Sequence, residues 1–211
     1  MFTIKKGVLF DAEVKVPQKP SPNHGGALKA SLLVMHYTGS PSFDGAVRTL
    51  TDRKAAQRVS AHVVIGRDGA IAQLVPFETI AWHAGASSWK GRSGCNDFAI
   101  GIEMVNSGLL GKLATGEYYD RLTHKKVPAA DVAIAEHKNG GGMQPWEVFP
   151  PAQIEAAIGV AQAICKTYGI RDIAGHDDIA PRRKIDPGPA FPMHSFIGRV
   201  LGRRDDEPLV A

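Results

Sequence analysis

In the stretch GHDDIAPRRKIDPG, His176 and Asp186 stand ten residues apart, with Lys184 two residues before the aspartate. Far upstream, His36 closes the apolar stretch LLVMH. Two imidazoles and one carboxylate form a ligand set for Zn²⁺ that leaves one tetrahedral position open, the arrangement of catalytic rather than structural zinc. A water in that position has its pKa lowered to about 7 and becomes a nucleophile at neutral pH. Singly, each histidine reads first as a polar residue at a sheet edge. The combination gives them weight: histidines at two strand ends, then a His-x9-Asp segment that also carries a lysine. That spacing is too long for one helix face, so a loop must fold back, and Pro181, Pro187 and Pro189 can stiffen it.

Glu103 interrupts the apolar segment IGIEMV. A carboxylate buried without a partner is costly, so it must face a cleft or pair with a cation. The plain reading is a strand-end ion pair. The chemical reading is a general base of raised pKa, which takes a proton from the attacking water and delivers it to a leaving amine. Lys184 is either a surface member of the RRK run or a cation aimed at the metal, stabilising the oxyanion of a tetrahedral intermediate. His83, in AWHAGASSW between Trp82 and Trp89, reads as a cleft wall for a sugar or peptide, or as part of a packed loop.

These residues need elements to position them. Residues 31–37, SLLVMHY, form a short apolar run bounded by TGSPS, which suits a buried strand with His36 at its C-terminal end. Open α/β sheets present their ligands at such ends. Helical spacing of Phe43, Ala46, Val47 and Leu50 predicts a helix within 43–58. SAHVVIGRDGAIAQLVP places two apolar runs around an Asp-Gly turn and predicts a hairpin. AIGIEMVN, residues 99–106, predicts a strand carrying Glu103. From Pro151 to Tyr168 one face holds Ile154, Ile158, Ala161, Ile164, Cys165 and Tyr168, with proline in the first turn and Gly169 as the stop. IRDIAG then makes a short strand into His176, and PMHSFIGRVL a last helix. Residues 1–30 read as an extended lead-in, 31–201 as one catalytic domain, 107–150 as a surface insertion walling a cleft, and 202–211 as a tail. Alternating strands and helices argue for an α/β domain with a mixed sheet.

Composition sets the outer limits. At 211 residues the chain holds one sizeable core, and two cysteines, Cys95 and Cys165, make no disulfide framework. The net charge of +4 favours carboxylate-bearing partners. The basic residues are not interleaved with aromatics and match no nucleic-acid module, so a nucleic-acid partner is not expected. No stretch is apolar enough to cross a bilayer, and the N-terminus lacks the pattern of a signal peptide. The expectation is a cytoplasmic protein, or one carried to the periplasm by a holin or secretion system.

Taken in order, VMHYTGS, SAHVVIGRDGAIAQLVP, AWHAG, NDFAIGIEMVN and GHDDIAPRRKIDPGPAFP resemble the zinc-dependent type-2 N-acetylmuramoyl-L-alanine amidases. That family includes muropeptide-recycling amidases, phage endolysins and peptidoglycan recognition proteins. The resemblance spans roughly residues 30–195 and is poorest over the insertion. It implies a central mixed sheet flanked by helices, with zinc in a groove over the sheet held by His36, His176 and Asp186. It implies Glu103 and Lys184 as catalytic residues, and His83 and Asn96 along the substrate groove; the carboxylates of a stem peptide would give Arg182 and Arg183 a substrate-binding role, unless the two only anchor the loop. His62, in the SAH motif, is given a structural or supporting role. The implied reaction is hydrolysis of the amide between the lactyl group of N-acetylmuramic acid and L-alanine, on peptidoglycan or muropeptides, by a monomer. The rival reading is a peptidoglycan-binding module without activity; the intact ligand set, glutamate and lysine speak for the enzyme. A zinc peptidase lacks support because no HExxH helix is present.

Overall fold

The computed structural model describes residues 1–202. Its centre is a five-stranded sheet of β1 (Leu32–Tyr37), β2 (Val63–Ile65), β3 (Ile71–Gln73), β4 (Ala99–Met104) and β5 (Asp172–Gly175), in the spatial order β5-β1-β4-β2-β3. The first four in that order run parallel, and β3 returns antiparallel to β2. Strands covered on both faces read as continuous apolar runs. LLVM in β1 and AIGI in β4 are fully buried for that reason.

The two faces of the sheet have separate duties. Leu33 and Met35 of β1 and Ile100, Ile102 and Met104 of β4 pack into the main core against α2 (Pro151–Tyr168). Pro151 starts that helix, and Gly169 ends it in the left-handed conformation at φ +68°, as the sequence indicates. Side chains one residue out of phase, Leu32, Val34, Ala99 and Ala174, face the other way and pack with Ala84, Cys95, Phe98 and Ile179. On that opposite face lie His36 and Glu103. Cys95 and Cys165 are buried and unpaired.

The first helix, α1 (Phe43–Thr51), is capped by Ser42 Oγ accepting from the Gly45 amide at 3.1 Å. It stops earlier than position 58 because the apolar spacing ends at Leu50, and the TDRKAAQR stretch offers no further buried face. The last helix, α4 (Met193–Leu201), packs on α2. The expected tail lies outside the described residues from position 203 onward. No helix among the described residues is long and apolar enough to cross a membrane.

Residues 1–30 are not an extended lead-in. Phe2–Lys5, Val8–Asp11 and Val14–Lys15 form a three-stranded antiparallel sheet, and His24–Ala27 pairs with Thr79–Ala81. Lys6 and Gly7, at φ +51° and +73°, make the two-residue turn that right-twisted hairpins prefer. Leu9 is fully buried, and Phe2 packs over Gly159 of α2. The insertion is also ordered. It contains a three-stranded sheet of Gly111–Lys112, Tyr118–Tyr119 and Lys126–Val127, then a hairpin of Val132–Glu136 with Met143–Glu147 around a buried Trp146.

Candidate metal centre and active site

Parallel register assembles the site. Glu103 pairs with His36 across β4 and β1, and Gly175 pairs with Met35 across β5 and β1. His176, the next residue, therefore emerges at the same sheet edge as His36, and opens the one-turn helix α3 (His176–Ile179). The loop after α3 folds back so that the Asp177 amide donates to the Asp186 carbonyl at 2.7 Å. Gly175 is required at this corner, since a Cβ there would collide with the Asp177 carboxylate and approach Pro187 Cδ to 2.7 Å.

The outcome is a three-atom cluster. His36 Nδ1 lies 2.9 Å from His176 Nδ1 and 3.1 Å from Asp186 Oδ2, and His176 Nδ1 lies 3.0 Å from the same oxygen. All three residues are buried. His176 Nε2 is 3.0 Å from the Ala84 carbonyl, which can only accept, so the proton is on Nε2 and a lone pair is on Nδ1. A carboxylate oxygen beside it is a further electron-pair donor. Lone pairs brought to about 3 Å repel one another unless a proton or a metal cation lies among them, and this donor set fits a borderline metal such as Zn²⁺. His36, His176 and Asp186 also form a group of buried ligand atoms all within 4.8 Å of one another.

A cleft of about 640 Å³ opens over this cluster, lined among others by Glu103, Lys184, Asp186, His176 and Tyr37. Glu103 is half-buried, with Oε2 shielded and without a hydrogen-bond partner. Burial, and next the charge of Asp186, push its carboxyl up to about 8, with Lys184 opposing. Burial is also the main reason that His36 is lowered to about 4 and stays neutral. Lys184 is half-buried in the cleft wall and makes no ion pair among the described residues.

The residues expected along the groove divide. His83 is buried at 8% exposure, with Nδ1 2.9 Å from His36 Nε2 and Nε2 3.2 Å from the Ala99 carbonyl. Asn96 Oδ1 accepts from the backbone amides of His83 and Ala84 at 3.0 and 2.8 Å. Arg182 is exposed outside the cleft lining, beside Ser88 and Ser93. Its neighbour Arg183 is the loop anchor, donating to the carbonyls of Ala84 and Ala86 at 2.6 and 2.9 Å. His62 is buried, with Nδ1 accepting from the Gly101 amide and Nε2 facing the Thr79 carbonyl.

The insertion touches the site twice. Leu122 lines the cleft that opens over the metal cluster. At the other end, His137 Nε2 lies 3.0 Å from Asp177 Oδ2, Lys138 Nζ 2.8 Å from Asp177 Oδ1, and Asn139 donates to the Asp177 carbonyl. The hairpin thus grips the turn that carries His176. In the sequence the only signal for this was HKN at the end of an alternating run, and it names no partner.

The N-acetylmuramoyl-L-alanine amidase family matches residues 26–189, which hold every residue of the site. The chain belongs to this family. It is 33% identical over 224 residues to the 1,6-anhydro-N-acetylmuramyl-L-alanine amidase AmpD of Enterobacter cloacae, covering 97% of this chain and 98% of that protein. A crystal structure of an AmpD derivative superposes with a TM-score of 0.65 at 31% identity, covering 93% of this chain and 98% of that one. The amidase AmiD of Escherichia coli is 33% identical over 84% of this chain, which spans only 56% of AmiD's length. AmiD in complex with anhydro-N-acetylmuramic acid-L-Ala-D-γ-Glu-L-Lys gives a TM-score of 0.61 at 31% identity, covering 94% of this chain and 65% of that one.

Proposed function

We propose that this chain hydrolyses the amide between the lactyl group of N-acetylmuramic acid and L-alanine in muropeptides, as a zinc enzyme. The observation that carries the reading is the convergence of His36 Nδ1, His176 Nδ1 and Asp186 Oδ2 at 2.9–3.1 Å, in a cleft that also holds Glu103 and Lys184. Zinc held by these three residues supplies Lewis acidity to the scissile carbonyl and acidifies a water. Glu103 takes the proton of the attacking water and passes it to the departing alanine nitrogen. Its raised pKa suits the second of those tasks, and a nearby dication brings it down for the first. Lys184 places a cation in the cleft wall, where negative charge develops on the carbonyl oxygen.

Similarity to the AmpD relative and to AmiD's substrate complex favours a 1,6-anhydro-muropeptide as the substrate class. One chain supplies all of the proposed ligands and catalytic groups, which is consistent with a working monomer. Arg182 offers charge to stem-peptide carboxylates that extend past the cleft.

The test is zinc stoichiometry and turnover of an anhydro-muropeptide by wild type, His36→Ala, His176→Ala and Asp186→Ala. One zinc per chain in the wild type, with metal and turnover lost together in each variant, is expected. Full turnover by any of the three variants would remove that residue from the ligand set.

A further inference from the structure

His83 lines the cleft, but both of its ring nitrogens are engaged, by His36 and by the Ala99 carbonyl, and Asn96 is not among the cleft-lining residues. The His83 ring fills the space above β4 left by Gly101, where an added Cβ would lie 2.5 Å from His83 Cγ. It stands between the Ala99 carbonyl and His36. That carbonyl, 3.2 Å from His83 Nε2, can only accept, so Nε2 carries the His83 proton and Nδ1 carries a lone pair. His36 Nε2 lies 2.9 Å from this lone pair and must therefore be the donor. The proton of His36 is thereby fixed on Nε2, and its Nδ1 lone pair is left to face His176 and Asp186.

One residue further along the same loop, the Ala84 carbonyl does the equivalent for His176 at 3.0 Å. Two successive residues thus set the protons of both histidines, one through a ring and one through a peptide oxygen. Asn96 holds the pair in place: its Oδ1 faces two N–H donors, the amides of His83 and Ala84, which also fixes its amide orientation.

We infer that His83 and Asn96 are positioning residues: the Trp82–Ala84 loop, held by Asn96 from the Cys95–Asp97 turn, is a template that presets both metal histidines as Nδ1 donors. The inference rests on the proposed His36–His176–Asp186 ligand set. Groups that orient metal-binding histidines typically contribute about 10–100-fold to metal affinity.

Two readouts test it. In zinc-free protein with ¹⁵N-labelled histidine, long-range ¹H–¹⁵N correlation spectra report the ring tautomers directly. Wild type is expected to carry the Nε2 proton on both His36 and His176, whether or not a further proton bridges an Nδ1 to Asp186. His83→Leu, which keeps bulk but offers no acceptor, is expected to show mixed tautomers at His36 only. Asn96→Ala is expected to disturb both histidines, and Asn96→Asp, which keeps an acceptor, to disturb neither. Zinc affinity, measured by competition with a chromophoric chelator, should fall about 10–100-fold in His83→Leu and Asn96→Ala. It should recover in His83→Asn, whose side-chain oxygen can accept from His36.

A wild type with no proton on His36 Nε2 overturns the inference without any variant having to fold. So does His83→Leu with unchanged zinc affinity and a raised KM, the signature of a substrate contact. Failure of the ligand reading itself looks different: His36→Ala would keep its zinc while the wild-type tautomers remained as described.

Discussion

Replacing Glu103 by glutamine in the zinc-free protein isolates the charge of one carboxyl while keeping its shape. Glu103 is half-buried, its Oε2 is shielded and unpartnered, and Asp186 is close enough to repel a second negative charge. Its pKa of about 8, against an ordinary 4.5, means that the folded state keeps the neutral acid while the unfolded chain ionises. The sign follows from linkage. The stabilising contribution is complete below pH 4.5 and is lost as pH rises towards about 8. A shift of this size corresponds to an upper bound of about 5 kcal/mol. Water entering from the cleft reduces the working figure to about 2 kcal/mol.

Glutamine never ionises, so Glu103→Gln should match wild type at pH 4 and exceed it at pH 8.5 by about 2 kcal/mol. For a chain of this size, that is about 4–8 °C in melting temperature. The assay is a series of calorimetric melts from pH 4 to 9 in chelator, in which the other titrating groups cancel between the two proteins. Added zinc should shrink the gap, because a dication favours the carboxylate. Parallel melting curves across the whole range would refute the reasoning and place Glu103 in an ordinary solvated setting.

Lys184→Met should retain zinc and lose about 10²–10³-fold in kcat, with a smaller change in KM, as measured by steady-state kinetics. An unchanged kcat would remove Lys184 from charge stabilisation. Gly101→Ala should drive the His83 ring away from His36 and weaken zinc binding in the chelator competition, since the new Cβ has no room. Wild-type affinity there would show that the ring can shift at no cost. His137→Ala should cost about 1–3 kcal/mol in denaturant melts, because it leaves the buried Asp177 one partner short. A cost near zero would mean that the hairpin rests on the metal turn without bracing it.

Much of this architecture is written locally. Pro151, the periodic apolar face and Gly169 mark both ends of α2, and the runs LLVMH and AIGIE mark the two strands that carry His36 and Glu103. The proposed ligand set could be read from the sequence because its residue types are chemically distinctive and its two histidines lie at strand ends. What escaped depends on pairing between distant segments. The positioning roles proposed for His83 and Asn96 rest on the space over Gly101 and the carbonyls of Ala84 and Ala99; these residues stand in the AWHAG and NDFAIGIE strings, but their mutual placement does not show there. Arg182 and Arg183 are adjacent and chemically alike, yet only the second reaches the Ala84 carbonyl. The N-terminal hairpin is a different case. Phe2, Ile4, Val8 and Phe10 alternate around Lys6-Gly7, but the lysines and prolines nearby gave the segment the composition of a loop.

The most direct measurement of the proposed activity is mass spectrometry of the products from an anhydro-muropeptide in H₂¹⁸O, with and without a chelator. Hydrolysis at the lactyl amide releases a peptide with a free L-alanine amine and leaves one ¹⁸O in the new muramyl carboxylate. That pair of products, abolished by the chelator and restored by zinc, is expected. Label appearing in the peptide instead, or no cleavage by protein shown to hold one zinc, would contradict the assignment.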